Sequence, residues 1–96
     1  MKLKRVILVI DHPARASILR LVLQTNGHRV LTAGDVGEIP AWEGIDLAVI
    51  GHHIKLDESQ LPIQGLRLQP EMTEQWMLER IRILLVRMRG PKKKAA

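Results

Sequence analysis

The 96-residue chain has no cysteine, no phenylalanine and no tyrosine, and its only aromatic residues are Trp42 and Trp76. Without thiols there is no disulfide, zinc finger or thiol chemistry, and the composition fits a reducing cytoplasm. Two indoles fall short of the series of exposed rings that a base-stacking platform needs, and they leave the core to aliphatic side chains. Long apolar runs are missing too. The longest, Val6-Ile7-Leu8-Val9-Ile10, is far shorter than the ~18 residues of a membrane span, so no membrane association is expected. A secretory leader is not expected either, because Asp11 stands where its small-residue cleavage site should be.

What is present suits one folded domain: 46% hydrophobic and 26% charged residues rule out wholesale disorder. The net charge of +5 is unevenly spread. Seven Lys and Arg and no acid lie between Arg80 and Ala96, whereas six acids and the single Lys55 lie between Asp35 and Glu58. The expected organisation is a domain over residues 1–90 and a basic, frayed tail over 91–96.

Val6 to Ile10 is a continuous β-branched-rich run, the pattern of a strand buried on both faces in a parallel sheet. Pro13 suits the first turn of a helix, and Ala14, Ile18, Leu21, Val22 and Thr25 recur at helical spacing before an Asn26-Gly27 stop. A second strand over Arg29 to Ala33 completes a βαβ unit. Gly37, Pro40 and Gly44 leave room for one or two helical turns before a third strand, Asp46 to Ile50. His52 to Gly65 has no helical stripe, and Leu66 to Gln69 alternates like an edge strand. A helix from Glu71 to Arg89, stopped by Gly90-Pro91, closes the domain.

In this order the segments resemble the receiver domain of bacterial two-component response regulators. VILVIDHP resembles the family's opening strand and acidic turn, HRVLTA its second strand and IDLAVIG its third. GLRLQP with EMTEQWMLERIRILLVRMR resembles its last strand and final helix. The resemblance implies a flavodoxin-like parallel sheet and a place in bacterial signal transduction. It also implies where phosphoryl chemistry would sit, and there the chain departs from the pattern. The acceptor aspartate's position is Gly51; the paired acids for a divalent cation are Ile10 and Asp11; the lysine before the final proline is Gln69. The fourth strand, with its Ser/Thr, is missing, so four of five parts of the switch are gone. A hydrogen replaces the nucleophile, and one acid leaves the octahedral cage of Mg²⁺ incomplete. The expectation is a pseudo-receiver that cannot be phosphorylated, with no enzymatic activity, no cofactor and no small-molecule substrate.

Fourteen residues, His52 to Gly65, stand in for helix-strand-helix, barely above the ~12 that one parallel crossover needs. The expected α/β sheet is therefore truncated to about four strands, in the order 2-1-3-5 of a five-strand receiver, with helices mainly on one face. The other face would keep only short segments over several large aliphatics, which a partner chain would cover unless the 52–65 loop folds back.

In the final helix Met77, Ile81, Leu84 and Met88 make a core stripe flanked by Leu78 and Leu85, and Trp76, Ile83 and Val86 point off it. With Leu19 and Leu23 of the first helix, placed away from the core by the same reasoning, they form a candidate homodimer or signalling-partner surface centred on Trp76. Asp11, His12, His52 and His53 fall at the ends of adjacent strands, where α/β sheets bind ligands, and offer a less favoured metal set. Arg80, Arg82, Arg87, Arg89, Lys92, Lys93 and Lys94 carry the alternative reading, a small basic protein binding nucleic acid through phosphates; the bland reading is a helix C-terminus matched to its dipole. Ser17 and Ser59 lack any nucleophile-elbow context, and no Gly-rich phosphate loop occurs.

Overall fold

The computed structural model describes residues 5–39 and 41–89. Strands β1 (Val6–Ile10), β2 (Arg29–Ala33), β3 (Leu47–Ile50) and β4 (Gly65–Arg67) form one all-parallel sheet in the order β2-β1-β3-β4. Since β4 is the strand numbered five above, this is the expected truncated flavodoxin-like arrangement. Helix α1 (Pro13–Thr25) links β1 to β2, and α2 (Glu74–Arg89) follows β4. Among the described residues, no helix is long and apolar enough to cross a membrane.

β1 and β3 are buried from Ile7 to Ile10 and from Leu47 to Ile50, as their unbroken apolar runs require. Alternate side chains feed two cores. Ile7, Val9, Leu47, Val49 and Leu66 meet Ala16 and Leu23 of α1 and Met77, Ile81, Leu84 and Leu85 of α2, so both helices cover one face. On the other face Leu8, Ile10, Ala48 and Ile50 pack with Ile39, Trp42, Ile54, Leu56, Leu61 and Ile63. The 52–65 loop thus folds back over β1 and β3 on the second face, while Leu31 of β2, beside Leu8 on that face, stays 51% exposed. Short connections suffice because each inserts several apolar side chains, Ile39, Trp42 and Ile45 from one and Ile54, Leu56, Leu61 and Ile63 from the other. Gly65 aids the approach: a Cβ there would stand 3.0 Å from Leu61 Cδ1.

The phase of α1 is also corrected. Leu23 is fully buried and Leu19 packs against the core, whereas Ile18 and Leu21 are 63% and 66% exposed. The helix carries apolar residues on two stripes, and docking onto the sheet selects the one through Ala16, Leu19 and Leu23. It stops where Gly27 takes φ +91°, with Asn26 Nδ2 donating to Val22 O at 2.8 Å. In α2 the stripe of Met77, Ile81 and Leu84 lies in the core as expected; the side chain of Met88, the Gly90-Pro91 stop and the 91–96 tail lie outside the described residues. The helix begins at Glu74 rather than Glu71, because Thr73 Oγ1 accepts from Trp76 N at 3.0 Å and caps it there.

Candidate functional site

The C-terminal edge of the sheet gathers the turns after β1, β3 and β4. Gly51 N donates to Ile10 O at 2.9 Å, and Leu68 N donates to Ile50 O at 2.8 Å, so pairing extends past the strand ends and fixes this edge. Asp11 emerges here with its side chain fully buried. Its Oδ1 accepts from His12 N at 2.7 Å; its Oδ2 has no hydrogen-bond partner, with Arg15 Nε 4.0 Å away.

Gly51 lies directly beneath this carboxylate. A Cβ at residue 51 would stand 2.4 Å from Asp11 Cγ and Oδ2 and 2.6 Å from Oδ1, closer than any real contact. The carboxylate of the β1 turn therefore fills the space a side chain at the end of β3 would use. No nucleophile stands at that position, and none fits while Asp11 keeps its place.

Asp11, Gly51, His52 and Gln69 line one groove of about 260 Å³, walled by Arg15, Ile18, Leu19 and Val22 of α1 and by Leu68, Met72 and Met77 on the α2 side. Ile10 does not join them: it is fully buried in the loop-covered core. The sequence-level set at the chemical positions is thus brought together at Asp11, Gly51 and Gln69 and not at Ile10.

His12, His52 and His53 cluster beside Asp11, with His52 and His53 ring centres 3.7 Å apart and His12 and His53 6.0 Å apart. Partial desolvation, reinforced by the charges of His52, Arg15 and His12 and opposed by Asp11, holds the His53 imidazole below its ordinary value. Among the described residues no three His, Asp or Glu side chains converge on a point that could hold a metal ion.

No family model, no curated protein and no solved structure matches the chain.

The candidate interaction surface is revised by the fold. Trp76 and Val86 are 44% and 55% exposed and Ile83 is half-buried, but Leu19 and Leu23 belong to the core. Ile18 and Leu21 are the exposed apolar residues of α1. Of the basic set, Arg80 lies 6.0 Å from the Trp76 ring centre and Arg82 pairs with Glu79 at 2.6 Å. The side chains of Arg87 and Arg89, and Lys92, Lys93 and Lys94 altogether, lie outside the described residues.

Sequence reasoning missed Arg67. Its guanidinium donates to the carbonyls of Gly51 at 3.1 Å, of Ile54 and of Leu56, and its Nε and Nη2 reach both Glu58 oxygens at 3.3 Å. This fork ties the 51–58 segment to β4 and holds Glu58 below the usual carboxylate range, chiefly by the Arg67 hydrogen bond. Its sequence signal was an arginine on the strand face shared with Ile50, with Glu58 nine residues upstream.

Proposed function

We propose that the chain is a receiver-like protein-interaction module of bacterial signalling that cannot be phosphorylated, is not an enzyme, and pairs with itself or a signalling partner through its helical face. The observation that carries this reading is the Asp11 carboxylate lying over Gly51, 2.4 Å from where a Cβ would start. Phosphoryl transfer to a receiver needs a nucleophilic carboxylate at the end of β3 and a cation held beside it. Here the position has no side chain, the space above it is filled, and Ile10 contributes core packing instead of a second acid. The order β2-β1-β3-β4 and the placement of both helices on one face support a receiver-like origin.

Pairing is supported by the exposed Trp76 and Val86 of α2 and the exposed Ile18 and Leu21 of α1. Tryptophan is enriched where binding energy concentrates, and a module without chemistry acts through what it touches.

Intact-mass measurement after incubation with a small phosphodonor and Mg²⁺ should show no phosphoryl adduct; a stable adduct on Asp11 overturns the reading. Light scattering at micromolar concentration should give a dimer that Trp76→Ala or Val86→Glu weakens. A monomer at all concentrations removes the pairing while leaving the lost phosphorylation chemistry standing. Binding to a random duplex at low salt, lost at high salt, would instead favour the basic-protein alternative.

A further inference from the structure

The groove between α1 and the start of α2 holds the only buried side-chain oxygen or nitrogen among the described residues without a hydrogen-bond partner, Asp11 Oδ2. A buried acceptor left unpaired is unfavourable, and none of the donor side chains that line the groove, Arg15, His52, Gln69 and Thr73, hydrogen-bonds to it; Arg15 Nε stops at 4.0 Å. Above the carboxylate the walls are aliphatic, formed by Leu19, Val22, Leu68 and Met77. We infer that this groove binds an alkylammonium group, either a lysine side chain of a partner protein or a free primary amine. Its nitrogen donates to Asp11 Oδ2 and its methylene stem lies along those four side chains.

Three features narrow the ligand class. The volume, about 260 Å³, lies below the ~300–1,000 Å³ typical of drug-sized and cofactor pockets and suits a group of side-chain size. Only one carboxylate oxygen is free, because Oδ1 is engaged by His12 N. A guanidinium achieves its strength by bridging two oxygens, whereas an ammonium is a point charge that one oxygen satisfies. Arg15, beside the carboxylate without hydrogen-bonding it, illustrates that mismatch, and its half-exposed side chain can swing out as the ligand enters. Glu74 lines the same groove and adds a second acidic group to it. Amine binding here is independent of whether the chain pairs with itself.

The test follows the backbone amides of the full chain by NMR while n-butylamine, methylamine, n-butylguanidine or sodium chloride is added at equal ionic strength. Saturable shifts at His12 and Gly51 are expected with n-butylamine, weaker ones with methylamine, and weaker ones again with the guanidine. Asp11→Asn, which keeps the shape of the side chain, should weaken binding by about tenfold or more, the loss of one charge-assisted hydrogen bond. Arg15→Ala should tighten binding by removing a competing cation, and it decides the matter if the Asn variant does not fold. A blocked lysine tripeptide separates the sources: tighter binding than n-butylamine points to a partner protein, weaker to a free amine. Shifts that match those from sodium chloride, binding unchanged in both variants, or tighter binding of the guanidine would overturn the inference.

Discussion

Asp11 is the residue on which the edge of the sheet turns. The acid at residue 11 and the glycine at residue 51 were legible as a pair of letters at two strand ends. That one fills the space of the other was not, because it depends on how β1 and β3 are staggered. Two histidines at opposite ends of the sheet give the fold a pH dependence. His28, through burial, and His53 both protonate less readily in the fold than an ordinary imidazole at 6.5. Between the folded value and 6.5 the unfolded chain binds more protons, so stability rises with pH through that window and levels off above it. Asp57, held low chiefly by the Ser59 hydroxyl, and Glu58, held low by Arg67, add stability that is complete above their ordinary 3.8 and 4.5 and lost as pH falls below. Thermal melts across acid to neutral pH should therefore rise in two steps, and His28→Gln with His53→Gln should flatten the upper one. An upper step that persists in the double variant assigns it to other groups.

Among the elements, the 52–65 connection is the one that had to do the work of missing structure. Its lack of a helical stripe was plain from Pro62 and the scattered apolar residues, yet its fixed course was hidden, since one side chain on the strand that follows folds back to set it. Arg67 donates to three carbonyls and a carboxylate there, and its side chain is only 18% exposed. The ion pair itself adds little, because Glu58 is 39% exposed and screened. The part-buried carbonyls are what an apolar replacement strands. Arg67→Met should therefore cost about 2–4 kcal/mol in urea denaturation, and Glu58→Gln less than about 1. Equal losses in the two variants would show that the pair, not the carbonyl contacts, holds the loop. Periodicity located α1 and α2, starting α2 three residues early, and gave its buried Met77, Ile81 and Leu84, but for α1 it favoured the Ile18–Leu21 side. Two stripes of similar apolarity leave the choice to tertiary docking, which no local pattern contains.

At the scale of the molecule, strand order and the shared face of both helices followed from crossover rules and connection lengths. The coverage of the second face did not. Counting helices suggested a deficit, whereas Ile39, Trp42, Ile54, Leu56, Leu61 and Ile63 cover β1 and β3 on that face and leave Leu31 of β2 exposed. The result is a parallel sheet whose central strands β1 and β3 are buried on both sides, with its C-terminal edge stopped at Gly51 by the Asp11 carboxylate. That stoppage is measured most directly by a double-mutant cycle in urea between residues 11 and 51. Gly51→Ala should destabilise the chain by about 1–3 kcal/mol in the presence of Asp11, whose carboxylate must be displaced, and by far less once Asp11 is alanine. Additive effects at the two positions would contradict it.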